Sequence, residues 1–336
     1  MNVLVTGATG FLGLYLVEQL VARGERVRAF CRRSTAELQA LGVDIAVGDI
    51  RDGQAVSAAC RGIQTVFHTA AVAGIWGPWK LFYETNTLGT QHVVTGCVHH
   101  HVNKLVFTSS PSVTFDGRDQ CGIDESAPYA RRWLAHYPHS KALAEQHILT
   151  ANGRNELLTC ALRPHLIWGP RDRHLVPRLL ERHRQGKLRR VGHGRNLIDI
   201  TYVENAAAAH LQAARALAPG APICGKPYFL SQGEPVNCWQ WIDELLGLAG
   251  LPPVRRRIGL HAAYAIGAVL ESAHHALGLA GEPRMTRFVA LQLGRSHYFD
   301  ITAAKRDFGY RPLVSTGEGM RRLAVSPPLA KSPQNR

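Results

Sequence analysis

The chain reads as an α/β protein built on a doubly wound parallel sheet, with a smaller, discontinuous, mostly helical C-terminal cap. Three observations predict this. Short β-branched runs alternate with helical-period segments from residue 1 to about 165, the pattern of successive strand–helix–strand units. A glycine-rich turn stands directly between the first run and the first helical segment. After Pro164 the text changes to loops, a basic helix and an alanine-rich helix, so a second, less regular unit is expected.

In chain order the expected strands are Val3 to Thr6, Val27 to Phe30, Asp44 to Val47, Thr65 to Thr69, Lys104 to Ser109 and Leu158 to Arg163. Helices are expected between them: Phe11 to Arg23, with Leu12, Leu16, Leu20 and Val21 at helical spacing, then Leu81 to His99 and Tyr137 to Thr150. Residues 1–165 form the first unit, to which the chain returns near 197–217. Residues 166–325 are read as mainly cap, including a basic helix from Leu175 to Gln185 and an alanine-rich one from Val203 to Leu217. Residues 327–336 hold three prolines and read as a frayed tail.

A length of 336 residues suits two units. With 46% hydrophobic and 19% charged residues the chain is of ordinary globular composition, which excludes disordered, collagen-like and coiled-coil classes. Its net charge of +14 would attract phosphates, anionic substrates, acidic partners, nucleic acid or a lipid surface. Nucleic acid is set aside, because no zinc spacing, aromatic platform or continuous basic helix accompanies the charge. Seven scattered cysteines, Cys31, Cys60, Cys97, Cys121, Cys160, Cys224 and Cys238, argue against a disulfide scaffold and for a reducing cytoplasm. The opening Met1-Asn2-Val3-Leu4-Val5 is already strand-like, so no export signal is expected. No spanning helix is expected either, since the apolar stretch Ala262 to Leu270 is too short. His99-His100-His101 points three ways around a helix end and is not read as a metal site. Arg255-Arg256-Arg257 and the apolar residues after it suit a capping helix best, with a membrane surface or a partner enzyme as the other occupants considered.

The turn Gly7-Ala8-Thr9-Gly10-Phe11-Leu12-Gly13 lies where amide N–H groups and a helix N-terminus would meet a pyrophosphate. At the end of the second strand, where an acidic residue would accept from a ribose 2′-hydroxyl, stand Cys31, Arg32 and Arg33. A guanidinium there suits a 2′-phosphate and favours NADP(H) over NAD(H). Asp49 and Ile50 fall where an adenine edge would lie. Tyr137 and Lys141 are four apart on one helical face, so an ammonium beside the phenol would lower its pKa. Ser110, with Ser109 as the nearest misassignment, and Asn86 complete the set of chemical candidates.

These residues carry a family likeness. Through Thr6 to Gly13, Asp49 to Asp52, His68 to Ala71, Asn86 to Thr90, Thr108 to Ser110, Tyr137 with Lys141 and Arg163-Pro164, the chain resembles the extended short-chain dehydrogenase/reductases over nearly its whole length. Arg163 to Asp172 and Asp199 to Asn205 are similar to the 3β-hydroxysteroid dehydrogenase-like branch. Ser110 to Asp119 and Leu134 to Pro138 are similar to the bacterial 2-alkyl-3-oxoalkanoate reductases of long-chain olefin biosynthesis. The resemblance implies a Rossmann sheet and cofactor contacts at Gly7, Thr9, Gly10, Phe11, Leu12, Gly13, Arg32, Asp49, Ile50, Ala70, Tyr137, Lys141 and Pro164. It further implies that Ser110 polarises a ketone, Tyr137 gives the proton, Lys141 binds the nicotinamide ribose and Asn86 supports the relay. The implied substrate is a long-chain 2-alkyl-3-keto acid, reduced to the hydroxy acid; the alternatives are a 3β-hydroxysteroid or sterol-4-carboxylate dehydrogenase and, of a different class, a non-catalytic dinucleotide-binding scaffold. The implied partners are a condensing enzyme, a β-lactone synthetase and a β-lactone decarboxylase, and relatives of this kind often dimerise. Such a substrate needs an apolar channel and a cation: Trp76 and Trp168 are the aromatic candidates for the one, and Arg171 or Arg173, with His165 behind, for the other.

Overall fold

The computed structural model describes residues 1–326, and the tail read as frayed lies outside the described residues. Seven strands form one sheet, parallel at every neighbouring pair. Six are the expected ones, Asn2–Thr6, Arg26–Cys31, Asp44–Val47, Thr65–His68, Lys104–Thr108 and Leu158–Pro164, with every end within one residue of its expected place. Apart from the edge strand Asp44–Val47, which has no buried residue, their near-continuous burial, complete along Thr65–His68, is what a sheet covered on both faces requires. The strand order reverses between the first and fourth strands, which are parallel, and such a switch opens a crevice at the carboxyl edge where such folds take their ligands.

The seventh strand, Lys226–Leu230, pairs with Leu158–Pro164 and comes from residues read as cap. Pro227 argues against a strand in the sequence, but this is the sheet's edge, where a missing N–H costs no ladder bond. Phe299, Ile301, Phe308 and Tyr310 also return to the core of the first unit. The structural cap is therefore smaller than residues 166–325.

One face of the sheet is covered by helices Phe11–Val21 and Val203–Ala216, the other by Gly53–Cys60, Gly89–His99 and His136–Thr150. The buried alanines 206, 207, 209 and 213 let the second of these lie close against the first. The expected helix Leu81 to His99 runs from Trp79 to His99 and carries a π-helical stretch, Tyr83–Leu88. Such an extra residue per turn re-aims side chains and recurs at functional sites. Here it turns Asn86 and Thr87 onto Ser140 of the neighbouring helix, at 2.9 and 3.0 Å.

The cap has its own core around Trp168, Tyr202, Trp239 and Trp241. Helix Leu260–Leu277 crosses Arg287–Gly294 at Gly267, where a Cβ would come within 2.7 Å of the Arg287 amide. Ile266, Val269 and Leu277 stay exposed on it, and among the described residues no helix is long and apolar enough to cross a membrane. A small sheet joins Gln120–Ile123, Leu197–Ile198, Val236–Asn237 and His297–Phe299, and so brings cap residues to the carboxyl edge.

Helix His136–Thr150 is tied down by a buried ion pair. Glu145 takes two bonds from Arg163, at 2.5 and 3.0 Å, and a third from the Tyr129 hydroxyl at 2.8 Å, and both charged side chains are almost wholly inaccessible. Removing one partner leaves the other charge buried and unpaired. Glu145→Ala should cost about 3–5 kcal/mol in urea unfolding, whereas Arg118→Ala, which breaks an exposed 3.8 Å pair with Asp116, should change stability by less than about 0.5 kcal/mol. Equal effects would contradict this reading of the frame.

Candidate active site

Two concavities meet at the carboxyl edge. The first is lined by Gly7, Thr9, Gly10, Arg32, Asp49, Ile50 and Ala70, among others. Gly7 has φ +71°, and a Cβ on it would strike the Ala70 backbone at 2.8 Å. A Cβ on Gly13 would come within 2.2 Å of the Gly7 carbonyl, so the turn and the helix it opens lie in direct contact only because both are glycine. Helix Phe11–Val21 has no side-chain cap, which leaves its first N–H groups for an anion. These features fit a dinucleotide pyrophosphate. Leu12 is buried beneath the turn, and Phe11 and Pro164 face the second cavity.

Asp49 is clamped by Arg51 at 2.8 and 3.0 Å, and this partner holds its carboxyl down to about 2. Arg32 is exposed and lines the cleft, and among the described residues it forms no hydrogen bond or ion pair. A free guanidinium at this edge is what a phosphate monoester would need.

The second cavity, about 340 Å³, is walled largely by apolar groups, including Ile75, Phe115, Leu166, Phe288 and Phe299. It contains the chemical candidates Ser110 and Tyr137 together. Ser110 starts a short 3-10 turn and its hydroxyl bonds to that of Ser112 at 2.8 Å. Ser109 also lines the cavity, but its hydroxyl is buried without a hydrogen-bond partner among the described residues. Burial pushes the Tyr137 phenol up to about 12, with a hydrogen bond to Ser110 pulling the other way.

The lowered phenol expected from Lys141 is not found. The ammonium instead donates to the Thr108 carbonyl at 2.5 Å and lies 3.9 Å from the centre of the Phe107 ring. Burial brings Lys141 itself down to about 7, and Glu145 opposes that shift. Asn86 is also used differently from expectation. Its oxygen accepts from the Val72 amide at 2.8 Å, and its nitrogen donates to the Val72 carbonyl and to Ser140. It fixes the loop between the two cavities to the Tyr137 helix.

Of the substrate candidates, His165 alone faces the cavity. Trp168 is wholly buried, edge-on to Tyr202 and Trp241 at 5.2 and 5.9 Å. Trp76 packs on His274 and His275 of the cap, although its neighbours Gly74 and Ile75 line the cavity. Arg171 is paired with Glu18 at 2.6 and 2.7 Å and lies over the Tyr15 ring. Arg173 is exposed and lies outside the cavity wall. Sequence reasoning missed Ser112, Gln120, Gln292 and His297. His297 pairs with His165 at 2.6 Å across 132 positions, a separation that leaves no local signal.

Comparison with known proteins agrees with this architecture. The profile of the 3-beta hydroxysteroid dehydrogenase/isomerase family matches residues 4–258. The chain is 50% identical over 329 residues to the 2-alkyl-3-oxoalkanoate reductase of Shewanella oneidensis, covering 96% of this chain and 85% of the relative. It is 35% identical over 326 residues to the decarboxylating sterol-4-alpha-carboxylate 3-dehydrogenase of Mus musculus, covering 96% and 90%. Among solved structures, the UDP-glucose 4-epimerase of Thermus thermophilus in complex with NAD superposes with a TM-score of 0.72 at 26% identity, covering 96% of this chain and 98% of that one. The chain belongs to the 3-beta hydroxysteroid dehydrogenase/isomerase family and is an oxidoreductase of the extended short-chain dehydrogenase/reductase type.

Proposed function

We propose that the protein reduces a long-chain 2-alkyl-3-ketoalkanoic acid to the 2-alkyl-3-hydroxyalkanoic acid with NADPH, as a step of long-chain olefin biosynthesis in the cytoplasm. The observation that carries the reading is that Ser110 and Tyr137 line one apolar cavity, beside a cleft with a dinucleotide's features. The likeness to the 2-alkyl-3-oxoalkanoate reductase supports the substrate class. On this reading the enzyme acts after a condensing enzyme and before a β-lactone synthetase and a β-lactone decarboxylase.

The reduced nicotinamide, when bound, supplies the hydride to the ketone carbon. Gly7, Thr9 and Gly10 would hold its pyrophosphate, and Arg32 a 2′-phosphate. Ser110 donates a hydrogen bond to the ketone oxygen, and Tyr137 donates the proton that completes the alcohol. Reduction requires Tyr137 in its protonated form, and burial holds the phenol in that form at neutral pH. The Ser110 to Ser112 hydroxyl contact offers a path by which the proton is replaced. Lys141 would hold the nicotinamide ribose with the N–H donors that the Thr108 carbonyl leaves free.

The test is oxidation of a racemic long-chain 2-alkyl-3-hydroxyalkanoic acid with NADP⁺ and with NAD⁺, beside a 3β-hydroxysteroid. Turnover of the acid, faster with NADP⁺, is expected. Arg32→Ala should reduce kcat/KM for NADP⁺ by about 10–100-fold, the weight of a charge-assisted contact, and leave NAD⁺ within about threefold. Turnover of the steroid alone would contradict the substrate, and turnover only with NAD⁺ would contradict the role of Arg32.

A further inference from the structure

A carboxylate entering an apolar cavity needs a donor or a cation, and the two arginines suggested by sequence lie elsewhere. The cavity wall contains one carboxylate, Asp172, which is spent on the amides of His174, Leu175 and Val176 at 2.8, 3.1 and 2.8 Å. It also contains two histidines in series. The Nε2 of His297 lies 2.8 Å from the Gln292 carbonyl, which only accepts, so that nitrogen bears hydrogen. The Nδ1 of neutral His297 is then a lone pair, and it accepts from Nε2–H of His165 at 2.6 Å. The tautomers are thereby determined, and Nδ1 of His165 is left as a lone pair. Among the described residues, no protein group hydrogen-bonds to that atom.

The backbone gives a second indication. Leu166 has φ +40°, a left-handed conformation that a bulky residue adopts only under constraint. His165 and Leu166 both line the cavity despite being adjacent, and the turn at Leu166 permits this. His165 is itself anchored through its amide to the Leu230 carbonyl at 3.1 Å and through its carbonyl to Thr201. Its ring is pressed edge-on between those of His297 and Phe299. The ring is therefore held in place before any substrate arrives.

We propose that His165, backed by His297 and the Gln292 carbonyl, is the group that receives the substrate's carboxylate, taking up one proton from solution as the acid binds. This rests on the reading of the substrate as a 2-alkyl-3-oxo acid. In the empty cavity, burial and the neighbouring His297 keep His165 neutral. A carboxylate beside Nδ1 favours the imidazolium, which then donates on one side to the carboxylate and on the other to His297. The titratable groups that share the cavity wall with the pair are Tyr137, Asp172 and His174; Asp119 acts on His297, and buried Asp199, raised to about 6, is bonded through its backbone to His297 and through its carboxylate to the Phe299 amide. The arrangement distinguishes an acid from a neutral ketone of equal chain length, which Ser110 and Tyr137 cannot do.

The experiment compares the 2-alkyl-3-hydroxyalkanoic acid with the secondary alcohol of the same chains that lacks the carboxyl group, both with NADP⁺, from pH 6 to 9 in about half-unit steps. For the native enzyme, KM for the acid should rise with pH by up to about tenfold per unit, as one-proton uptake demands, and KM for the alcohol should not follow it. His165→Phe should lose about 10–100-fold in kcat/KM on the acid, carried by KM, and less than about threefold on the alcohol. His165→Gln keeps a neutral donor, so it should retain part of the preference and lose the pH dependence of KM. Thermal unfolding and NADP⁺ binding by each variant check that the fold is intact. Equal losses on acid and alcohol, or no loss on either, would overturn the inference while leaving the substrate reading in place. A native enzyme that turns over the alcohol and not the acid would overturn both.

Discussion

The buried ion pair between Glu145 and Arg163 is the constraint on which the site depends. Tyr137, Lys141 and Glu145 stand at steps of four along one helix, so they share a face and move together. Arg163 anchors the last of them to the strand Leu158–Pro164, and Lys141 anchors the middle one to the end of the strand Lys104–Thr108. With two points fixed to the sheet, the position of the phenol is determined. Asn86 and Thr87, turned inward by the π-helical stretch, hold the same helix from its other side through Ser140. A proton donor must lie within a fraction of an ångström of its place, and this helix is held at several points rather than one.

Desolvation sets the chemistry of the groups so positioned. It raises Tyr137, lowers Lys141 and lowers both His165 and His297, each shift favouring the neutral form. An apolar cavity whose Asp172 carboxylate is satisfied by backbone amides receives long alkyl chains without stranding a charge. It also strengthens every hydrogen bond made to the reacting oxygen. The cap supplies much of this environment, since Phe288, Gln292 and His297 reach the cavity from its last helices and strands, whereas the first unit supplies Ser110 after a strand and Tyr137 on a helix. Much of the cavity's apolar wall thus comes from a different part of the chain than its candidate chemical groups.

The parallel sheet was legible because each inner strand is buried on both faces and must be written as an apolar run bounded by turns. Lys226–Leu230 was not, because Pro227 is a disqualifying residue everywhere but at an edge, and edge position is a property of the assembled sheet. The glycine turn and the pair Tyr137 and Lys141 were legible because their spacing is local. The direction of the Tyr137 shift was not, because it depends on what surrounds the hydroxyl. Arg171 and Trp168 illustrate the same limit: Glu18 neutralises the one from 153 positions away, and the tertiary core of the cap absorbs the other. His297 reaches His165 only through the small sheet that joins distant segments.

The central claim is that Tyr137 gives the proton in a site already shaped to bind, and a single turnover of Tyr137→Phe tests it most directly. Bound NADP⁺ and the 2-alkyl-3-hydroxy acid would be mixed with this variant and the appearance of reduced nicotinamide followed by absorbance, with binding of each ligand measured separately. The account predicts binding within about threefold of the native enzyme and hydride transfer slower by at least about a thousandfold, the scale of a positioned acid and base. Hydride transfer within tenfold of the native rate would contradict it.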